Sequence, residues 1–405
     1  MMRLHLSARV MGLAAMAALL GACIGDIGDH HPESEGGETS GGSGDSTGPG
    51  GGTEGFTDIT TLSAEQTQQY LGKLAPPFVG RVLSAKEQAS VADKGGAAIE
   101  PILLGWTEEP AFAKAARALI EQRLSTSGTK EGVDMNLPGN LAEHVVAHDL
   151  PWSQLLTSES CYDAEDQVIE CDSGAPYTAG VLTTRGYLMS RASRFNLTRS
   201  STMMRGFLCV GYPQDDEVQP RIDKERLIPM FRALTPEEQT VEEAKSGFGN
   251  GSGCYTCHGQ FSLHAQMFVK FDAKGLWQDA ADGIQDPEGE LGRSLNGLMA
   301  SHLDNPDEAR LETSQFLGQE VANLSEAAKV LTKHPLFLGC AARNALDYGL
   351  MLDTSVDIHP ELLARIGAAA SASDSDPTFG SIFVATFIDP DIVRATVLSL
   401  TGEEP

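Results

Sequence analysis

The run Cys254-Tyr255-Thr256-Cys257-His258 carries the most specific chemistry in the chain. Two thiols three residues apart lie on one face of a helical turn, so each can form a thioether with one vinyl group of a haem. His258, next in line, is placed to bind the iron from the proximal side. The spacing therefore predicts one covalent haem c held by Cys254, Cys257 and His258. With 7 Cys and 10 His in 405 residues, a chance match has odds of roughly a few per thousand, so the run is read as chemistry. The ligand across the iron decides what the haem does: Met favours a high-potential carrier, His lowers the potential, and an open position admits ligands or peroxide. Met299 is the preferred distal ligand and Met351 the next, both at a distance suited to wrapping the opposite haem face. Met267 is too near His258 in sequence for that role, and His264, His302 and His334 are the other candidates. Any one of these methionines is otherwise an ordinary core filler.

Haem is attached in this way outside the cytoplasm, so the start of the chain bears on the motif. Arg3 and Arg9 give a positive first segment, and Val10 to Ala22 is apolar but too short for a permanent membrane span. The segment ends in Leu20-Gly21-Ala22-Cys23, which resembles the lipobox of bacterial lipoprotein signal peptides. That resemblance implies removal of residues 1–22 and lipidation of Cys23; a plain secretory signal with an incidental Cys is the alternative. Residues 23–56 are rich in Gly, Ser, Thr and acids, and cannot bury enough apolar surface to offset their ordering entropy. They are expected to be a disordered tether, with His30-His31 solvated. No later segment is apolar enough to cross a membrane, so the lipid is the expected membrane contact, placing the protein in the bacterial cell envelope on the periplasmic or outer-membrane side.

Four cysteines remain: Cys161, Cys171, Cys209 and Cys340. An even remainder in an oxidising compartment suggests two disulfides. Cys161 and Cys171 flank a short acidic loop and form the natural local pair, which leaves Cys209 with Cys340; buried free thiols are the other possibility. The acidic loop (Asp163, Glu165, Asp166, Glu170, Asp172) lacks the glycine and ligand spacing of an EF-hand, so a Ca²⁺ role is disfavoured. His144 and His148 are one helical turn apart, with Glu143 and Asp149 beside them. That spacing suits a metal, but the sequence is not His-Glu-x-x-His, and a solvated or core pair is the plainer reading.

The elements that must position these groups read as mainly α, with few strands. Ser63 with Gln66, and Ser84 with Glu87, are capping boxes opening helices over Ser63–Leu74 and Lys86–Asp93. Helical spacing marks Glu109–Leu124, Leu141–His148, Thr178–Phe195, Glu290–Leu303, Glu320–Leu331, Pro335–Met351, Pro360–Ala370 and Pro390–Leu400. Thr235-Pro236-Glu237-Glu238 starts another helix. The expected organisation is an N-terminal helical domain over 57–157, a haem-binding domain over 158–310 with a c-type-cytochrome-like segment, and a C-terminal helical domain over 311–405. A net charge of −27 argues against nucleic-acid binding and favours a basic redox partner. Gly247 to Gly253 is glycine-rich but is followed by no Lys-Ser/Thr, so it is not a phosphate loop.

The order of several short motifs resembles a family. Thr178-Ala179-Gly180-Val181-Leu182 and Arg205-Gly206-Phe207-Leu208-Cys209 precede the Cys254–His258 motif, Phe271-Asp272-Ala273-Lys274-Gly275 follows it, and Phe337, Cys340, Tyr348 and Gly349 mark a later helix. This order is similar to that of large cytochrome-like proteins of unknown function from planctomycetes and myxobacteria, over roughly residues 150–400. Where the family has an Asp-Pro turn after its haem motif, this chain reads Ser262-Leu263-His264-Ala265. The resemblance implies a helical fold and haem binding, without a substrate. Three functions follow from the sequence: a lipid-anchored electron carrier, a haem-dependent oxidoreductase such as a peroxidase or dehydrogenase subunit, and a non-haem binding lipoprotein. The His directly after Cys257 disfavours the third.

Overall fold

Local hydrogen bonds start the first two helices. Ser63 accepts from the Gln66 amide while the Gln66 side chain accepts from the Ser63 amide, opening α1 (Ala64–Val79). Ser84 and Glu87 repeat the exchange at α2 (Ala85–Lys94). Gly80, at φ 65°, ends α1 just after Pro76 and Pro77. The computed structural model describes residues 58–192, 196–211, 264–278, 312–352, 358–372 and 376–401. Residues 1–22, Cys23, the tether, the Cys254–His258 motif, Met299, His302 and the helices expected at Thr235 and at Glu290–Leu303 lie outside the described residues.

The described part is mainly helical. After α3 (Ile99–Thr107) and α4 (Pro110–Leu124) come a hairpin, β1 (Thr129–Lys130) with β2 (Val133–Asp134), and α5 (Leu137–Ala147). Then follow α6 (Gln154–Thr157), the hairpin of β3 (Cys161–Tyr162) and β4 (Val168–Ile169), α7 (Arg185–Ser190) and α8 (Leu197–Phe207). A third hairpin, β5 (Ser314–Phe316) with β6 (Gln319–Val321), leads into α9 (Leu324–Thr332), α10 (Leu336–Leu350), α11 (Pro360–Ala370), α12 (Phe379–Phe387) and α13 (Pro390–Thr401). All three hairpins are antiparallel and two-stranded.

One hydrophobic cluster draws on all three stretches marked out in sequence, from Leu62 through Trp106, Leu155 and Phe268 to Val397. Its aromatic centre sits between α1, α4 and α12: the Phe78 ring lies 4.6 Å from Phe383 and 5.4 Å from Phe387, and Phe112 lies 4.8 Å from Phe383. The buried Tyr70 hydroxyl donates to the Phe387 carbonyl at 2.7 Å, so the polar end of this ring is also satisfied. Among the described residues no helix is long and apolar enough to cross a membrane.

Of the helix expected over Thr178–Phe195, residues 178–184 run through bends, bridges and turns, and among its described residues only Arg185–Ser190 are helical. Gly180 adopts φ 50° with its α-carbon pressed on Leu155, where a Cβ would stand 2.1 Å from the Leu155 carbonyl oxygen. The Thr183 hydroxyl accepts from the Ala179 amide and Thr184 caps α7, so side chains close this segment into turns before the helix begins. The segment expected as Glu320–Leu331 splits likewise: β6 takes its start, and Asn323 caps α9 by accepting from the Glu326 amide.

The short motifs of the resemblance serve as joints. Asp272 accepts from the Lys274 and Leu276 amides at 2.8 and 2.9 Å, closing a turn that Gly275 completes at φ 72° against Arg185 and Leu188. Arg199 is fully buried and clamps this turn to α7: it donates to the Leu188, Phe271 and Asp272 carbonyls and to the Asn196 side chain. Burial pushes its pKa down to about 10, so it stays charged at neutral pH, solvated by carbonyl dipoles. At the end of α8, the Asn344 side chain donates to the Gly206 carbonyl at 3.0 Å, next to a disulfide between Cys209 and Cys340.

Candidate functional site

Cys161 and Cys171 are disulfide-bonded with α-carbons 5.2 Å apart, and Cys209 and Cys340 with α-carbons 5.1 Å apart. Both pairings expected from the cysteine count are therefore present. The first closes the β3–β4 hairpin; the second joins the end of α8 to α10 across 131 residues of sequence. The residues expected to hold haem, Cys254, Cys257 and His258, and the lipidation residue Cys23 fall outside the described residues.

The described candidates for the distal iron position lie in different settings. Met267 is fully buried in the main core. His264 is buried in a T-shaped contact with Phe316, ring centroids 4.9 Å apart. Met351 is 76% exposed just past α10. His334 accepts from the Leu336 amide at 3.2 Å, and burial lowers its pKa. It borders an open cavity of about 780 Å³ between α6, α9 and α11, with Lys329, Lys333 and Asp376 on the walls.

The strongest convergence of ionisable groups is elsewhere. α5 presents His144 and, one turn on at its end, His148, with ring centroids 4.5 Å apart. The β3–β4 hairpin lies against α5 and brings Asp166 to both rings. His144 Nδ1 is 2.6 Å from Asp166 Oδ1, and His148 Nε2 is 2.6 Å from Asp166 Oδ2. Burial pushes the Asp166 carboxyl up, but the hydrogen bonds from His148 and His144 outweigh this and hold it below its ordinary value. The ligand atoms of the three residues all lie within 4.8 Å of one another. Among the described residues this is the one such group.

Each partner is positioned by its element. The Tyr162 ring stacks on His144 at 3.5 Å and 14°, which fixes the imidazole plane. The Asn140 side chain, one turn earlier on α5, donates to the Tyr162 carbonyl at 3.1 Å and docks the hairpin. Asp163 accepts from the Glu165 and Gln167 amides, closing the hairpin loop, and Asp166 follows at φ 60°. Other acids of the region are engaged separately: Glu143 pairs with Arg117, and Asp172 accepts from the Arg185 amide. The acidic loop therefore does not gather its carboxylates around one point, as a Ca²⁺ site would require. The spacing of His144 and His148 was visible in sequence, but their partner is Asp166 rather than the adjacent Glu143 or Asp149.

No family model, no curated protein and no solved structure matches this chain.

Proposed function

We propose that the chain is a lipid-anchored, extracytoplasmic c-type haem protein that passes electrons, with haem c on Cys254 and Cys257 and His258 as proximal ligand. The observation that carries this reading is the cysteine pairing. Cys161–Cys171 and Cys209–Cys340 are disulfides, which leaves the two thiols of the haem motif outside those pairings. Disulfides also persist in the kind of compartment where haem is attached to Cys-x-x-Cys-His, so pairing and motif agree on location. The apolar segment ending at Cys23 supports export and lipidation, and the net charge of −27 supports a basic redox partner in the cell envelope.

Met299 is the distal ligand of choice in this reading. A methionine thioether raises the potential and favours a carrier, whereas an open position would favour a haem-dependent oxidoreductase acting on peroxide or another small substrate.

The test is covalent haem in protein isolated from a host with haem-attachment machinery. The wild type should show a Soret band and keep its haem through denaturing electrophoresis, whereas Cys254→Ala, Cys257→Ala and His258→Ala should each lose or sharply reduce it. Met299→Ala should abolish the weak far-red absorption of a sulfur-ligated ferric haem while covalent haem remains. Wild-type protein from the envelope that carries no covalent haem overturns the reading.

A further inference from the structure

The geometry points to a second, independent site: we propose that His144, His148 and Asp166 bind one divalent transition-metal ion of the zinc class. The ion would pin the disulfide-closed β3–β4 hairpin to α5.

The ligand set selects the ion. Two imidazole nitrogens with one carboxylate oxygen suit Zn²⁺ and its neighbours in the transition series, whereas Ca²⁺ and Mg²⁺ require more oxygen ligands than Asp166 alone provides. Three protein ligands leave at least one position for water, and solvent reaches it: the His148 and Asp166 side chains are 50% and 44% exposed. A tetrahedral ion with bonds of about 2.0–2.2 Å needs its ligand atoms about 3.3 Å apart, so the carboxylate must withdraw by about 0.7 Å from its 2.6 Å contacts and the widest pair, now within 4.8 Å, must draw in by up to about 1.5 Å. The exposed side of the cluster allows that movement.

The cluster is also preorganised. Stacking on Tyr162 holds the His144 ring, and the neighbouring Asn140 bond keeps hairpin and helix in register. The Cys161–Cys171 bridge closes the loop that carries Asp166. At φ 60° Asp166 occupies a conformation that glycine adopts with least cost. The aspartate there gives the hairpin a carboxylate that reaches both imidazoles, which glycine lacks. In the tautomers that leave His144 Nδ1 and His148 Nε2 without a proton, these two atoms would aim their lone pairs at the ion.

The experiment uses the full chain after chelation and buffer exchange, with Zn²⁺ binding followed by calorimetry. His148→Ala and Asp166→Asn are compared with wild type, and far-UV circular dichroism checks that each is folded. Wild type should bind one more equivalent of Zn²⁺ than either variant. Removing a ligand should weaken this site at least as much as the roughly 10–100-fold lost when only an outer-shell partner is removed. Zn²⁺ should raise the melting temperature of wild type and leave that of the folded variants unchanged. Wild-type protein that binds no Zn²⁺, or variants that match it in stoichiometry and affinity, overturn the proposal. None of these readouts passes through haem, so protein without covalent haem that still binds zinc here would remove only the electron-carrier reading.

Discussion

At the scale of single residues, the half-buried and buried polar groups show how the fold holds charge. Glu87 is the clearest case. Its carboxylate accepts from Arg81 at 2.7 and 2.8 Å, from the Trp106 indole at 2.7 Å and from the Ser84 amide at 2.6 Å. Burial pushes its pKa up, but the hydrogen bonds from Arg81, Ser84 and Trp106 outweigh this and bring it from 4.5 to about 2. As pH falls, the unfolded chain therefore takes up this proton before the folded one does. The stabilisation is complete above about pH 4.5 and is lost as pH drops toward about 2. Glu87→Gln should make the urea midpoint less sensitive to acid over that window, measured as the difference between mildly acidic and strongly acidic buffer. Parallel pH profiles for wild type and variant would contradict this assignment. Arg199 solves the opposite problem, a buried cation, with carbonyl oxygens rather than a carboxylate.

At the scale of elements, the turns between helices decide where the helices go. The Thr178–Leu182 segment runs along α6, with the Val181 amide donating to the Leu155 carbonyl at 3.0 Å. Gly180 makes that approach possible, being both at positive φ and without a Cβ. Gly180→Ala should lower stability by about 2–3 kcal/mol, from the backbone strain and the forced separation of α6 together. Gly72, by contrast, is in α1 with nothing within 4 Å of an added Cβ. Gly72→Ala should raise stability by about 0.5–1 kcal/mol through helix propensity. Thermal unfolding of the two variants beside wild type checks both signs, and a destabilised Gly72→Ala or an unaffected Gly180→Ala would count against this account.

At the scale of the molecule, the Cys209–Cys340 bridge is the longest-range covalent link among the described residues, spanning 131 positions of sequence. The Cys254–His258 run falls inside that span of sequence, so the bridge ties together parts of the core that precede and follow it. A cross-link over so long a loop acts mainly by removing disorder from the unfolded chain. Replacing both cysteines by alanine should lower the unfolding free energy by about 2–5 kcal/mol in a denaturant titration. A midpoint unchanged from wild type would show that the unfolded chain is already compact enough for the link to constrain little.

Interactions between residues a few positions apart were legible without coordinates. The two capping boxes, the helix at Pro335–Met351 that became Leu336–Leu350, and the local Cys161–Cys171 pair depend on near neighbours, so residue type and spacing determine them. The turn-spaced pair His144 and His148 belongs to the same kind of information. Tertiary structure decided the rest. Phe379–Phe387 is not among the helices expected from spacing; it is apolar almost all round, and its phenylalanines pack against α1 and α4. Thr178–Phe195 had helical spacing, yet contact with Leu155 turned its start, around Gly180, aside. Asp166 was one acid among several until the hairpin folded over α5 and set it between two imidazoles 18 and 22 residues away. Short-range chemistry is written in neighbouring side chains, whereas a three-residue site is made only when packing brings separate elements together.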